Sequence, residues 1–397
     1  MNMKTKKRKW TFSLMLCIIL LLQLPMPSLR AENSSINTHA RAAALIDVES
    51  GRILYSNRGD ESMPIASLTK IMTAIVAIEN GDLDSVVKVG KNAYAKEGSS
   101  LYLKLGEEMA LETMLYGLML RSGNDAASAI AEHIGGSEEG FTYMMNAKAE
   151  ELQLTHTHFA NAHGLDDKGH FSSANDLAVL TAYALHNPVF KEIVKTQEKT
   201  ADNPYEKWDY KWRNKNKMLR LYEGADGVKT GYTKIALRCL VSSATRNGQQ
   251  LVAVTLNDGD DWNDHASLLN FGFNHYPLKS LIKRGDKVSG YELVTGDDFS
   301  YPLGQGEQER LVTTMILQSD SKRTTDFGLK GFLQLQLGGK EIRRIPLYTP
   351  DALPPKPPVY GKRLSSASAA AYPSDTWLQA IGSALRALFQ AGGKEIL

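Results

Sequence analysis

"PIASLTKIMTAIVAIENG", Pro64 to Gly81, places a hydroxyl and an amine one turn apart at the head of an apolar helix. Leu68, Ile71, Met72, Ile75 and Val76 recur at i, i+3, i+4, i+7 and i+8, the stripe of a helix packed on a core. Ser67 and Lys70 are three residues apart and share one side of its first turn. Two readings of the pair stand at this point: a capping serine near a solvated lysine, or a nucleophile beside its base. The pattern S-x-x-K alone does not choose, because it recurs at Ser85/Lys88, Ser280/Lys283 and Ser319/Lys322.

Outward from this helix the chain alternates between β-like and helical stretches. "ARAAALIDVESGRILYSN", residues 40–57, reads as two strands joined at Glu49-Ser50-Gly51. Helices are expected at 67–80, 111–120, 125–134 and 138–152, the third stopped by Gly135-Gly136. "RCLVSSA" and "QLVAVTLND" flank Arg246-Asn247-Gly248, a hairpin with a favoured Asn-Gly turn, and a helix from about Asn263 to Phe273 closes the region. Strands at both ends with helices between predict an α/β chain of the α+β kind, an antiparallel sheet covered by helices, in a domain over 36–275. Residues 276–349 alternate apolar and polar around Gly338-Gly339 and predict a small all-β domain. A Pro/Ser/Ala-rich linker, 350–373, then leads to a helix at 374–392. There Trp377, Leu378, Ile381, Leu385, Leu388 and Phe389 gather on one side, as in an amphipathic helix lying in a membrane interface.

With 397 residues, 43% hydrophobic and 23% charged, the chain has the composition of a globular protein of two or three domains. Residues 1–31 read as a secretory signal: a basic start, an apolar run from Thr11 to Leu24, then breakers before Ala31. Its removal takes six of the 46 basic residues and none of the 44 acidic ones, so the formal charge passes from +2 to −4. Nucleic acid is thereby excluded as a partner, since the basic footprint is lost. Cys17 falls within the signal, and Cys239 alone remains, so the exported protein holds together without an internal disulfide.

Two further motifs stand downstream, "RSGNDAA" with Ser122-Gly123-Asn124 and "DGVKTGYT" with Lys229-Thr230-Gly231. S-x-N is also cheap, matching Ser35-Ile36-Asn37 and Ser173-Ala174-Asn175, whereas K-T-G occurs once. What chance rarely supplies is the ordered trio: S-x-x-K opening an apolar helix, S-x-N between two helices, and K-T-G entering a strand before a hairpin. That trio is an established signature of penicillin-binding proteins and class A β-lactamases. At these residues the chain resembles the low-molecular-mass penicillin-binding proteins that are D-alanyl-D-alanine carboxypeptidases of the peptidase S11 type. The run "RNGQQLVAVTLNDGDDWNDH" is most similar to the branch of endospore-forming bacteria in which the enzyme trims spore peptidoglycan. Leu237 departs from the pattern, because many members have Gly there.

The resemblance implies a penicillin-binding, serine β-lactamase-like transpeptidase domain acting on peptidoglycan pentapeptide stems through an acyl-enzyme on Ser67. β-Lactams would acylate the same residue, and no cofactor or metal is implied. Serine needs a base beside it, and Lys70 serves only when neutral, although an ordinary lysine is charged at neutral pH. Burial and a second cation favour the neutral form, and the resemblance brings Lys229 close enough to act as that cation. By the same resemblance Ser122 relays the proton to the leaving amine and Asn124 holds the substrate backbone. Lys229 and Thr230 grip the terminal carboxylate, Gly231 completes their strand, and the backbone N–H groups of Ser67 and Tyr232 form the oxyanion hole. The protein would work outside the cell, at the outer face of the cytoplasmic membrane or in the forespore envelope.

Other clusters admit other readings. "THTHFANAHGLDDKGH" carries His156, His158, His163 and His170, enough for zinc, but it lacks a helical H-E-x-x-H and reads as a loop. Asp258, Asp260, Asp261 and Asp264 could suggest calcium, but Trp262 breaks the alternation of ligands and a turn into a helix is the simpler reading. A β-lactamase would need a deacylating base, and the loop Asn161 to Leu165 offers no glutamate. A binding-only sensor would keep the fold and lose the chemistry, yet every reactive residue type is present.

Overall fold

The computed structural model describes residues 36–318 and 328–355. The expected signal at 1–31, the linker beyond 355 and the helix at 374–392 lie outside the described residues. Two compact units are present, one reaching to His186 and resuming over Phe190–Leu278, the other comprising Asn187–Val189 and residues from Lys279 onward.

In the first unit β1 (Ala42–Asp47) is buried along its length and β2 (Ile53–Asn57) returns antiparallel beside it. A 3-10 turn, Ala66–Thr69, leads into α1 (Lys70–Asn80), so the tighter turn takes the first residues of the expected helix. Every residue from Lys70 to Ala77 is buried, which makes α1 a central helix and not a surface helix with one covered stripe. β3 (Val86–Lys88) and β4 (Glu108–Ala110) form a small ribbon. α2 (Leu111–Tyr116) widens into a π-helical turn, Gly117–Arg121, that ends at Ser122. α3 (Asn124–Gly135) and α4 (Glu138–Glu151) pack on α1.

The sequence pattern names no elements between 153 and 222, yet α5 (Ala174–Leu185), α6 (Pro188–Lys195), the ribbon β5 (Glu198–Ala201) with β6 (Tyr210–Arg213), and a short α7 (Met218–Leu221) lie there. β7 (Ala225–Thr233), β8 (Leu237–Arg246) and β9 (Gln249–Leu256) then run antiparallel to one another. The sheet has the order β2-β1-β9-β8-β7, with Ala42 opposite Leu256. α8 (Asp261–His275) covers one face through a cluster that includes Ala43, Leu45, Leu240, Ala253, Leu268 and Leu269. Strand alternation turns Ala42, Ala44 and Ile46 to the opposite face. β7 is an edge strand of the sheet and lies against the 3-10 turn.

From Lys279 onward the described residues of the second unit are strands joined by loops and two short 3-10 turns. β10 (Leu278–Ile282) pairs with β12 (Phe299–Pro302), and β11 (Val294–Thr295), β13 (Leu311–Leu317), β14 (Leu329–Leu337) and β15 (Lys340–Tyr348) form a sheet of order β11-β15-β14-β13. The β14–β15 turn is Gly338-Gly339, both at positive φ, as a two-residue hairpin turn requires. Ile282, Leu335 and Ile345 make its small core.

Candidate active site

The site begins at the 3-10 turn. Side chains at i and i+3 eclipse in such a turn, which brings Lys70 Nζ to 3.2 Å from Ser67 Oγ. The residue before the serine, Ala66, sits at φ +48, a left-handed conformation that a non-glycine residue holds only when its surroundings enforce it. Lys70 is fully buried, and its Nζ also meets Asn124 Oδ1 at 2.7 Å and the carbonyl oxygen of His163. Burial, then the neighbouring Lys229 and Lys215, push its amine well below the ordinary lysine value, against a smaller opposing pull from Asp125. A neutral amine has two hydrogens and one lone pair. Asn124 Oδ1, the His163 carbonyl and Ser67 Oγ all lie within hydrogen-bond reach of Nζ, so in the neutral form the first two can take its hydrogens while the lone pair is left for the serine hydroxyl.

Asn124 opens α3 and is itself held: its Nδ2 donates to Glu97 O at 2.7 Å and its backbone N–H to Ser99 O at 2.7 Å. The next residue, Asp125, is buried and accepts from the backbone N–H groups of Leu101 and Leu103 and from Ser100 Oγ. It fixes the loop that supports Asn124. Ser122, where the π-helical turn ends, lies at φ +66, is 4% exposed, and has a hydroxyl without a hydrogen-bond partner among the described residues.

Lys229 projects from the edge strand β7 and is buried, with Nζ 2.9 Å from Thr230 O. Burial and the Lys215 charge push its amine down to about 7. Gly231 explains itself sterically: a Cβ there would lie 3.1 Å from Ile65 O and 3.3 Å from both Ala66 Cβ and Ser67 N. A bare α-carbon lets the strand lie this close to the serine turn without any neighbour having to shift. Tyr232, the next residue, is exposed, and Thr230 is half-buried.

The competing patterns fall elsewhere. Ser85 precedes β3, its hydroxyl bonded to Asp82 O and His133, while Lys88 pairs with Glu108. Ser280 and Lys283 belong to the second unit, and Ser319/Lys322 lies outside the described residues. Ser173 is a helix cap, accepting from Asp176 N at 3.1 Å. The four histidines do not converge: His163 and His170 are buried, while His156 and His158 lie outward with bonds of their own. Burial pushes His163 down to about 3 and His170 to about 4, so both are neutral imidazoles. Among the aspartates Asp261 pairs with Arg238 and Asp264 with His39, at the start of α8. Sequence reading missed the His163 carbonyl, Asp125 and Lys215; of these Asp125 alone carried a signal, as the acid in the first turn of the helix that "SGNDAA" opens.

A serine on a strained turn, a buried lysine within hydrogen-bond reach of it, and an edge strand carrying K-T-G beside it define a serine acyl-transferring enzyme of the penicillin-binding class. The sequence profile of peptidase S11, D-alanyl-D-alanine carboxypeptidase, matches residues 29–260. The chain is 35% identical over 308 residues to D-alanyl-D-alanine carboxypeptidase DacF of Bacillus subtilis, covering 72% of this chain and 78% of that one. It is 34% identical over 338 residues to DacC of Escherichia coli, covering 78% and 82%. Among solved structures, penicillin-binding protein 5 from Haemophilus influenzae superposes with a TM-score of 0.64 at 27% identity, over 79% of this chain and 96% of that one. The protein therefore belongs to the peptidase S11 family of serine D-alanyl-D-alanine carboxypeptidases.

Proposed function

We propose that the site removes the terminal D-alanine from peptidoglycan stem peptides through an acyl-enzyme on Ser67, and that β-lactams acylate the same oxygen. The observation that carries this reading is the placement of the buried Lys70 amine 3.2 Å from Ser67 Oγ, with Asn124 Oδ1 and the His163 carbonyl holding Nζ there. Lys70 takes the serine proton as Oγ attacks the carbonyl of the penultimate D-alanine. The backbone N–H groups of Ser67 and Tyr232 receive the oxyanion. Ser122, with its hydroxyl uncommitted, passes the proton to the departing D-alanine amine, and water then releases the acyl group. Lys229, with Thr230, grips the free carboxylate by a charge-assisted bond. Asn124 keeps one amide hydrogen for the substrate backbone while its other groups hold Lys70 and Glu97.

The group that the loop 161–165 turns toward Lys70 is a backbone carbonyl and not a carboxylate, which favours a carboxypeptidase over a β-lactamase. The likeness to the Bacillus subtilis relative supports a place in the branch of endospore-forming bacteria. Export by the N-terminal signal and attachment to the membrane surface by the C-terminal helix complete the reading. The deciding experiment is a pair of substitutions. Ser67→Ala is expected to abolish both penicillin labelling and D-alanine release, and Ser85→Ala to change neither. Labelling that survives Ser67→Ala overturns the assignment.

A further inference from the structure

The loop that supplies the His163 carbonyl also reaches the other side of the serine turn, through a histidine the chemistry above does not use. His170 is buried, and its Nδ1 accepts from the backbone N–H of Ala160 at 3.1 Å. In a neutral imidazole this leaves the proton on Nε2, which lies 2.6 Å from Thr69 Oγ1. Thr69 passes its own hydroxyl hydrogen on to the carbonyl oxygen of Ala66 at 2.8 Å. The chain of donors thus runs in one direction and ends on the carbonyl of the strained residue just before Ser67. Gly164 closes the other side, where a Cβ would lie 2.1 Å from the same Ala66 oxygen. His170 is kept in place by an edge-to-face contact with Phe159, ring centroids 5.8 Å apart.

We propose that His170 is a positioning residue for the reaction: acting through Thr69, it fixes the Ala66 carbonyl and so holds the turn that aims Ser67 Oγ at Lys70. The loop 160–170 then aligns both reacting groups, the base through the His163 carbonyl and the nucleophile through His170. Small displacements of a nucleophile cost rate steeply, whereas the ground-state grip on the substrate lies on β7 and is untouched.

This inference rests on Ser67 as the nucleophile, and penicillin labelling of Ser67 tests that separately. The experiment measures penicillin acylation under saturating and sub-saturating conditions, with D-alanine release and thermal unfolding of each variant. His170→Ala and Thr69→Val are each expected to lower the acylation rate constant about tenfold or more, with Ser67 still labelled and the dissociation constant within about twofold. His170→Gln, whose amide carries an acceptor and a donor at similar reach, is expected to retain most of the rate. Because both substitutions cut one chain, the double variant should be no slower than the worse single one. The proposal is overturned if folded His170→Ala acylates at the wild-type rate, if His170→Gln is as slow as His170→Ala, or if the two losses multiply. Should His170→Ala fail to fold, Thr69→Val and His170→Gln decide the matter on the same terms.

Discussion

In the proposed mechanism the two buried lysines carry opposite duties. Burial pushes both amines down, Lys70 well below the lysine range and Lys229 to about 7, and the proton on Lys229 is the one a carboxylate wants. In the free enzyme, loss of that proton should make kcat/KM on a D-Ala-D-Ala free acid fall as pH rises above about 7. A bound carboxylate raises the Lys229 pKa, so the same limb in kcat should lie at higher pH. Lys229→Gln removes a charge-assisted bond of roughly 1.5–3 kcal/mol, a loss of about ten- to a hundredfold on the free acid. A peptide ester, with no carboxylate to grip, should lose much less. The acid limb should move upward, because Lys70 no longer has the neighbouring cation that favours its neutral form. Equal losses on acid and ester with an unchanged acid limb would contradict both roles. Ser67, Lys70, Ser122, Asn124 and Lys229 were legible in the sequence because each stands in a short local motif. His163 and His170 were not, since they meet Lys70 and Thr69 across separations of 93 and 101 residues, and nothing in their own neighbourhood announces that pairing.

At the scale of elements, the hairpin after K-T-G explains why Leu237 is unusual. β7 and β8 pair through Thr233 opposite Leu237, so Lys234, Ile235 and Ala236 form the loop and Leu237 is the first residue of the returning strand. Leu237 holds φ +58 there and the residue is 41% exposed. The left-handed conformation costs a residue with a Cβ about 1–2 kcal/mol, and the extra chain entropy of glycine offsets about half of that. Leu237→Gly is therefore expected to raise the melting temperature by about 1–3 °C. Leu237→Ala, which keeps the strained φ and loses the side chain, should not raise it. A Leu237→Gly variant that melts below the wild type would show the leucine side chain to outweigh the strain. The strands flanking this hairpin and the helices 125–134 and 138–152 were readable from apolar periodicity and turn residues. α5 was not, because Ala174, Leu177, Ala178, Leu180, Thr181, Ala182 and Ala184 are buried around most of its circumference, and a helix without a wet side has no stripe. The β5–β6 ribbon escaped because its strands are only four residues each, too short for alternation such as Tyr210-Lys211-Trp212-Arg213 to stand out.

For the whole molecule, sequence periodicity placed the change to an all-β segment near residue 276, and the two compact units part after Leu278. The proposed membrane helix is testable without reference to the catalytic unit. Truncation at Pro373 is expected to release the mature protein from anionic and zwitterionic vesicles alike while leaving its rate on a soluble peptide unchanged. Vesicle binding that persists after truncation would move the attachment elsewhere in the chain. The pairing of β1 with β9 has a further consequence, for the order of events in an exported chain. A protein that crosses a membrane N-terminus first presents β1 and β2 long before their partner exists, and contacts this distant in sequence make folding slow. Ser67 meets Gly231 only when the far strands arrive. With export as proposed, acyl transfer is therefore withheld from any nascent or partly threaded chain, and the activity switches on at the side where translocation is finished.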